Sequence, residues 1–105
     1  DQLERILQRA SGPVRMKLVL ESLRSQGQSG NVIAEVPGRN PNAAPVLVSC
    51  HLDSWDQGTG AFDDAVGCGI VAAAAKRIMD AGRPARPIRI VWFGAEEVGL
   101  FGGLD

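Results

Sequence analysis

Two apolar runs set the frame of this chain: Val46 to Cys50, reading VLVSC, and Ile88 to Phe93, reading IRIVWF. Between them lies a stretch of small residues, Ala65 to Ala81, which contains VAAAAKRIM and is followed by Gly82 and Pro84. A continuous apolar run suits a strand covered on both faces. Small residues over this length suit a helix, with Asp63 or Asp64 placed to cap its start and Gly82 with Pro84 to end it. The unit predicts strand, helix, strand, with the strands parallel and the crossover right-handed. Loops of such a unit emerge at the carboxyl ends of adjacent strands, where open α/β sheets bind ligands.

The first third of the chain reads differently. Leu3, Ile6, Leu7 and Ala10 fall at helical spacing, stopped by Ser11-Gly12-Pro13. Val14 to Glu21 alternates apolar and polar with the period of a half-exposed strand. Asn31 to Val36 reads as a further strand ended by Pro37-Gly38, and the two are expected to pair as a long-looped antiparallel hairpin. The fold class expected is α/β, with a partial mixed sheet: an antiparallel hairpin plus a parallel strand–helix–strand unit. With 105 residues the chain holds at most one domain. The 11 basic and 12 acidic residues nearly cancel, which argues against electrostatic binding to nucleic acid or an anionic membrane surface. No apolar stretch reaches the roughly 18 residues that would span a bilayer.

The loop after the first apolar run concentrates the chemistry. SCHLDSWDQGTGAFDD, residues 49–64, carries the single histidine and four of the 12 acids. The second apolar run ends in Gly94-Ala95-Glu96-Glu97. Taken singly, each feature has an ordinary explanation: a structural histidine, a helix-capping aspartate pair, a solvated glutamate pair. The topology delivers all of them to one sheet edge, and together they favour a metal site of imidazole and carboxylate donors, which zinc accepts. Asp53, two residues beyond His51, is placed to orient the imidazole. One of the paired glutamates is free to ligate while its neighbour acts as a base. Asp56 is expected to be a solvated loop residue, and Gly58 and Gly60 to let the loop turn.

Two rivals fit less well. Gly67-Cys68-Gly69-Ile70-Val71-Ala72 matches the dinucleotide pattern, but sixteen residues separate Cys50 from Gly67, where the fingerprint needs its first glycine directly after the strand. Small residues packing a helix on a sheet explain these glycines better. No G-x-S-x-G elbow is present, and Ser54 has no evident base partner besides His51. Cys50 and Cys68 lack C-x-x-C spacing and read as two buried thiols.

The segments VLVSCHLDSWDQGTGAFDDAVGCG and IRIVWFGAEEVGLFG resemble the M28 metallopeptidases, co-catalytic two-zinc aminopeptidases and their relatives. The spelling HLDSWD-x-GTGAFDD is most similar to the carboxypeptidase Q branch of that family, whose members act largely as dipeptidases. The resemblance covers about residues 14 to 103. It implies a phosphorylase/hydrolase-like zinc-exopeptidase fold, truncated here, and hydrolysis of a peptide bond in a peptide or dipeptide substrate. It implies His51 as a ligand of one zinc ion, Asp63 as the carboxylate bridging both, and Glu97 as a ligand of the other. Glu96 is implied as general base and Asp53 as the acid that orients the histidine. It further implies a cis peptide between Asp63 and Asp64, and a secreted or periplasmic location.

The chain departs from the family in three respects. Two further ligands, a later aspartate and a histidine, have no counterpart, since no second histidine exists and Asp105 lies too close to Glu97. Gly103 stands where many members have serine. The segments that build the family's specificity pocket are missing. The expectation is therefore an N-terminal part of one catalytic domain, residues 1–105, cut at both ends, binding zinc weakly and hydrolysing little by itself. Its unsatisfied sheet edge predicts a homo-oligomer formed by strand or segment exchange. Two other functions belong to relatives of the same kind: a non-catalytic binding module, and an acyl transferase of the glutaminyl cyclase type with one zinc.

Overall fold

A computed structural model describes residues 2–104, so Asp105 lies outside the described residues. Three strands and two α-helices carry the fold. Helix α1 spans Gln2–Arg9, strand β1 Val32–Val36, strand β2 Val46–His51, helix α2 Val66–Asp80 and strand β3 Ile88–Phe93. A distorted turn, Ala61–Ala65, leads into α2, and a 3₁₀ turn, Phe101–Gly103, follows β3. The protein is a mixed α/β fragment, as its sequence predicts.

The sheet order is β1-β3-β2. β3 takes the centre because it is apolar along nearly its whole length and tolerates a neighbour on each edge. It pairs with β2 in parallel, from Val46 opposite Ile88 to His51 opposite Phe93. It pairs with β1 antiparallel, from Val32 opposite Trp92 to Val36 opposite Ile88. Successive strand residues face opposite ways, so Val36, Ile88, Ile90 and Val48 share the face on which α2 lies. Their contact with Ala75 and Ile78 forms the core, of which Val36, Ala75 and Ile88 are buried. Arg89 points to the other face and meets Glu35, its cross-strand partner, at 3.0 Å. That pair is exposed on both sides and contributes about 0–1 kcal/mol.

Four expectations are corrected. Residues 10–31 form neither helix nor strand, so Val14–Glu21 is not a strand and the predicted hairpin does not exist. The antiparallel partner of β1 is β3 instead. Alternation marks a chain that could lie on a sheet, but only an available edge makes it a strand, and β3 offers β1 the more apolar one. Second, neither Asp63 nor Asp64 caps α2, whose N-cap is Ala65 with no side-chain hydrogen bond. Third, Cys50 and Cys68 are joined in a disulfide, with Cα atoms 5.2 Å apart. The strand–loop–helix path brings the end of β2 back beside the first turn of α2, which a separation of 18 residues did not reveal. Fourth, helix–sheet packing does not account for the glycines of α2. A β-carbon at Gly67 would collide with the Asp64 carboxylate, and one at Gly69 would meet nothing. At the other end of α2, Gly82 has φ 108° and stops the helix as expected.

Candidate metal centre

Because β2 and β3 are parallel and in register to their last residues, both chains leave the sheet at the same edge. The Leu52 amide donates to the Phe93 carbonyl at 2.8 Å, one step beyond the last strand pair. From there one loop runs through Asp53 to the Asp63–Asp64 pair, and the other begins at Gly94 and passes through Glu96 and Glu97. The first loop is exposed and turns at Gln57 (φ 65°) and Gly60 (φ 62°), with the Gly58 amide donating to the Trp55 carbonyl at 2.9 Å. Gly58 itself has no positive φ, so only Gly60 uses the freedom expected of the pair. Asp63 and Asp64 are both out of helical geometry, and the peptide bond between them is cis.

His51 is the centre of the arrangement. Its Nδ1 lies 2.9 Å from the Asp53 carbonyl oxygen, and its Nε2 lies 3.0 Å from Asp63 Oδ1 and 3.9 Å from Glu96 Oε2. A carbonyl oxygen only accepts, so Nδ1 carries a proton and donates it there. That leaves Nε2 facing a carboxylate oxygen. If the ring is neutral, both of these atoms are acceptors. The contact is completed either by a second proton on the ring or by a cation between the two atoms. The His51 titration reflects this. Burial is the largest single influence and lowers its pKa, but the Asp53 carbonyl, the Asp63 carboxylate and the Glu96 charge together raise it above 6.5.

One oxygen or nitrogen from each of His51, Asp63 and Glu97 comes within 4.8 Å of the others. A nitrogen and two carboxylates are a donor set that zinc takes, and the acceptor-to-acceptor contact at His51 leaves room for a positive charge. By donor chemistry and placement, the residues fit the metal that the sequence suggested.

Asp53 acts on both loops. Its carbonyl holds the ring, while its carboxylate, 3.6 Å from Nδ1, accepts the amides of Glu96 and Glu97 at 3.0 Å each. The expected carboxylate contact with the imidazole is therefore the longer of its contacts, and the acid fixes the glutamate pair more directly than it fixes the histidine. Burial, the largest single influence, raises the Asp53 pKa, but these two amides, its own amide and the His51 charge together hold the carboxyl below its ordinary 3.8.

Three supporting residues were not predicted. Asp64 accepts the His51 backbone amide through Oδ2 at 3.2 Å, so the second aspartate anchors the strand end while the first faces the ring. Asn31, just before β1, accepts the Gly94 amide at 3.0 Å and donates to the Gly102 carbonyl at 2.7 Å. It thereby closes the loop of Glu96 and Glu97 upon itself. Gly102 is fully buried, and a β-carbon there would sit on the Gly94 carbonyl and the Asn31 amide. Nothing in the sequence distinguishes Asn31 from any polar residue at a strand start, since its partners lie 63 and 71 positions away. Asp56 is exposed, as expected.

The profile of Peptidase family M28 matches residues 31–104. Carboxypeptidase Q from Bos taurus is 43% identical over 90 residues, which is 85% of this chain and 19% of that protein. Leupeptin-inactivating enzyme 1 from Streptomyces exfoliatus is 39% identical over 79% of the chain and 19% of its own length. An aminopeptidase from Pseudomonas aeruginosa (strain UCBPP-PA14) is 36% identical over 85% of the chain and 16% of its own length. The chain thus spans less than a fifth of each of these relatives.

Proposed function

The chain belongs to peptidase family M28, and from that premise we propose that residues 1–105 are the N-terminal part of one catalytic domain of a zinc-dependent exopeptidase, an aminopeptidase or dipeptidase. The observation that carries this reading is the meeting of His51 Nε2 with Asp63 Oδ1, at 3.0 Å, beside Glu97. Two ions per complete domain is the proposed loading. His51 and Asp63 would hold one, Glu97 and Asp63 the other, with Asp63 shared. Bound zinc would polarise the scissile carbonyl and make a water nucleophilic at neutral pH. Glu96, whose Oε2 lies 3.9 Å from His51 Nε2, would serve as the general base, accepting the proton of the attacking water and returning it to the leaving amine. Asp53 orients both the imidazole and the glutamate pair. A peptide or dipeptide is the substrate class, as the names of the relatives suggest.

Among the described residues no third donor completes either ion's coordination beyond these. The chain alone is therefore expected to bind zinc weakly and to hydrolyse little. Competition against a chromophoric chelator measures this, and two tight sites would overturn the incompleteness. In the full-length protein, Glu96→Gln is expected to lower turnover by about 10²–10⁴-fold with zinc content unchanged. Full turnover in that variant would remove Glu96 from the role of base. Rates on dipeptides against longer amino-terminal substrates separate the dipeptidase from the aminopeptidase reading. A secreted or periplasmic location is proposed with support from the Cys50–Cys68 disulfide, a bond that persists in oxidising compartments. No described helix is long and apolar enough to cross a membrane.

A further inference from the structure

We propose that the Cys50–Cys68 pair is a redox-controlled staple of the metal centre, so that the chain holds zinc more tightly once this disulfide has formed than when it is reduced. The inference rests on the metal reading above and concerns residues to which that reading gives no part. The pair closes the segment that carries His51, Asp53, Asp63 and Asp64. Cys50 is the residue before His51 and is buried near the end of β2. Cys68 lies in the first turn of α2, and its Sγ rests 3.2 Å from the His51 carbonyl oxygen. Besides the disulfide, the segment is held by single hydrogen bonds, among them the Asp64 carboxylate on the His51 amide and the Asp53 carboxylate on the Glu96 and Glu97 amides. The turn that carries both aspartates has no buried residue, and α2 starts without a side-chain cap. The loop between Leu52 and Thr59 is exposed except at Asp53. Two of the three donors, His51 and Asp63, therefore lie in a segment whose covalent closure is the disulfide.

Reduction by a dithiol delivers two electrons and two protons to the sulfur–sulfur bond. Cys50 and Cys68 become thiols, and the dithiol closes to its own disulfide. The closed segment then gains conformational freedom, and the His51–Asp63 spacing becomes one of many that it samples.

The test compares zinc affinity, by chelator competition, of the oxidised chain, the chain reduced with a water-soluble phosphine, and C50A/C68A. The imidazole signals of the sole histidine report the same site by NMR without metal. Weakening of at least tenfold on reduction, an equal weakening in C50A/C68A with no response to phosphine, and a shifted His51 signal would support the staple. Equal affinity in oxidised and reduced chains would overturn it while leaving the metal reading intact. Tighter binding on reduction would also overturn it, since free thiolates would then be acting as ligands. Loss of the whole sheet on reduction, read by circular dichroism, would make the bond a general fold staple and overturn the local role. Absence of zinc binding in every form, and in the full-length protein as well, would overturn the metal reading itself, and this inference with it.

Discussion

At Asp53 side chain and backbone act together. The carboxylate holds two amides and the main-chain carbonyl holds a ring, so replacing the side chain frees the Glu96 and Glu97 amides and leaves the ring its carbonyl partner. Asp53→Asn keeps the shape but turns one acceptor into a donor facing an amide. A loss of about 1–2 kcal/mol is expected by urea unfolding, reduced from the full value of a charged hydrogen bond because the side chain is partly exposed. The pH dependence follows from the two shifted groups. The Asp53 pKa is lowered in the fold, so its contribution is present above the ordinary 3.8 and is lost as pH falls through the lowered value. The His51 pKa is raised, so its contribution to the metal-free fold is complete below 6.5 and is lost as pH rises through the raised value. On the proposed reading zinc would take the same nitrogen. Its binding should release a proton below that raised value, which calorimetry in buffers of different ionisation enthalpy would detect. The constellation of His51, Asp63, Glu96 and Glu97 was legible because strand ends and loop positions follow from apolar patterning. The partners that aim them were not, because the Asn31 and Asp64 side chains accept from backbone amides of residues distant in sequence, which no pattern of side chains reveals.

At the scale of the elements, the crossover from β2 through α2 to β3 was readable as a unit, since two apolar runs and a helix of small residues leave few other arrangements. The amino-terminal half was less so. An alternating segment such as Val14–Glu21 has the pattern of a strand without the edge to pair with, and Leu18 and Leu20 remain about four-fifths exposed. The glycines of α2 make a sharper test of what the helix does for the site. In an exposed helix, glycine to alanine is expected to stabilise by about 0.5–1 kcal/mol. Gly69→Ala should show that gain, since its β-carbon meets nothing. Gly67→Ala should instead lose stability and shift the His51 imidazole signal, because the new carbon takes the place of the Asp64 carboxylate that holds the His51 amide. Parallel urea unfolding curves and one NMR spectrum of each variant decide it.

The molecule as a whole is a small core under a sheet with two outer strands, β1 and β2. Val36, Ala75 and Ile88 are its buried centre, and burial of that size contributes only a few kcal/mol. Leu23, Ile33, Leu47 and Phe62 stand exposed, each beyond half of its surface. Such a chain is expected to associate through its sheet edges or by exchanging a segment, and light scattering at rising concentration would show a mass above the monomer. A monomer at high concentration would count against it. The covalent closure between Cys50 and Cys68 has one more consequence, at the bench. A protease that cuts the exposed stretch between Trp55 and Thr59 leaves both halves tied together, one carrying the histidine and the other the paired aspartates. The nicked chain would migrate as an uncut one on a denaturing gel until a reductant was added, and only then fall into two bands.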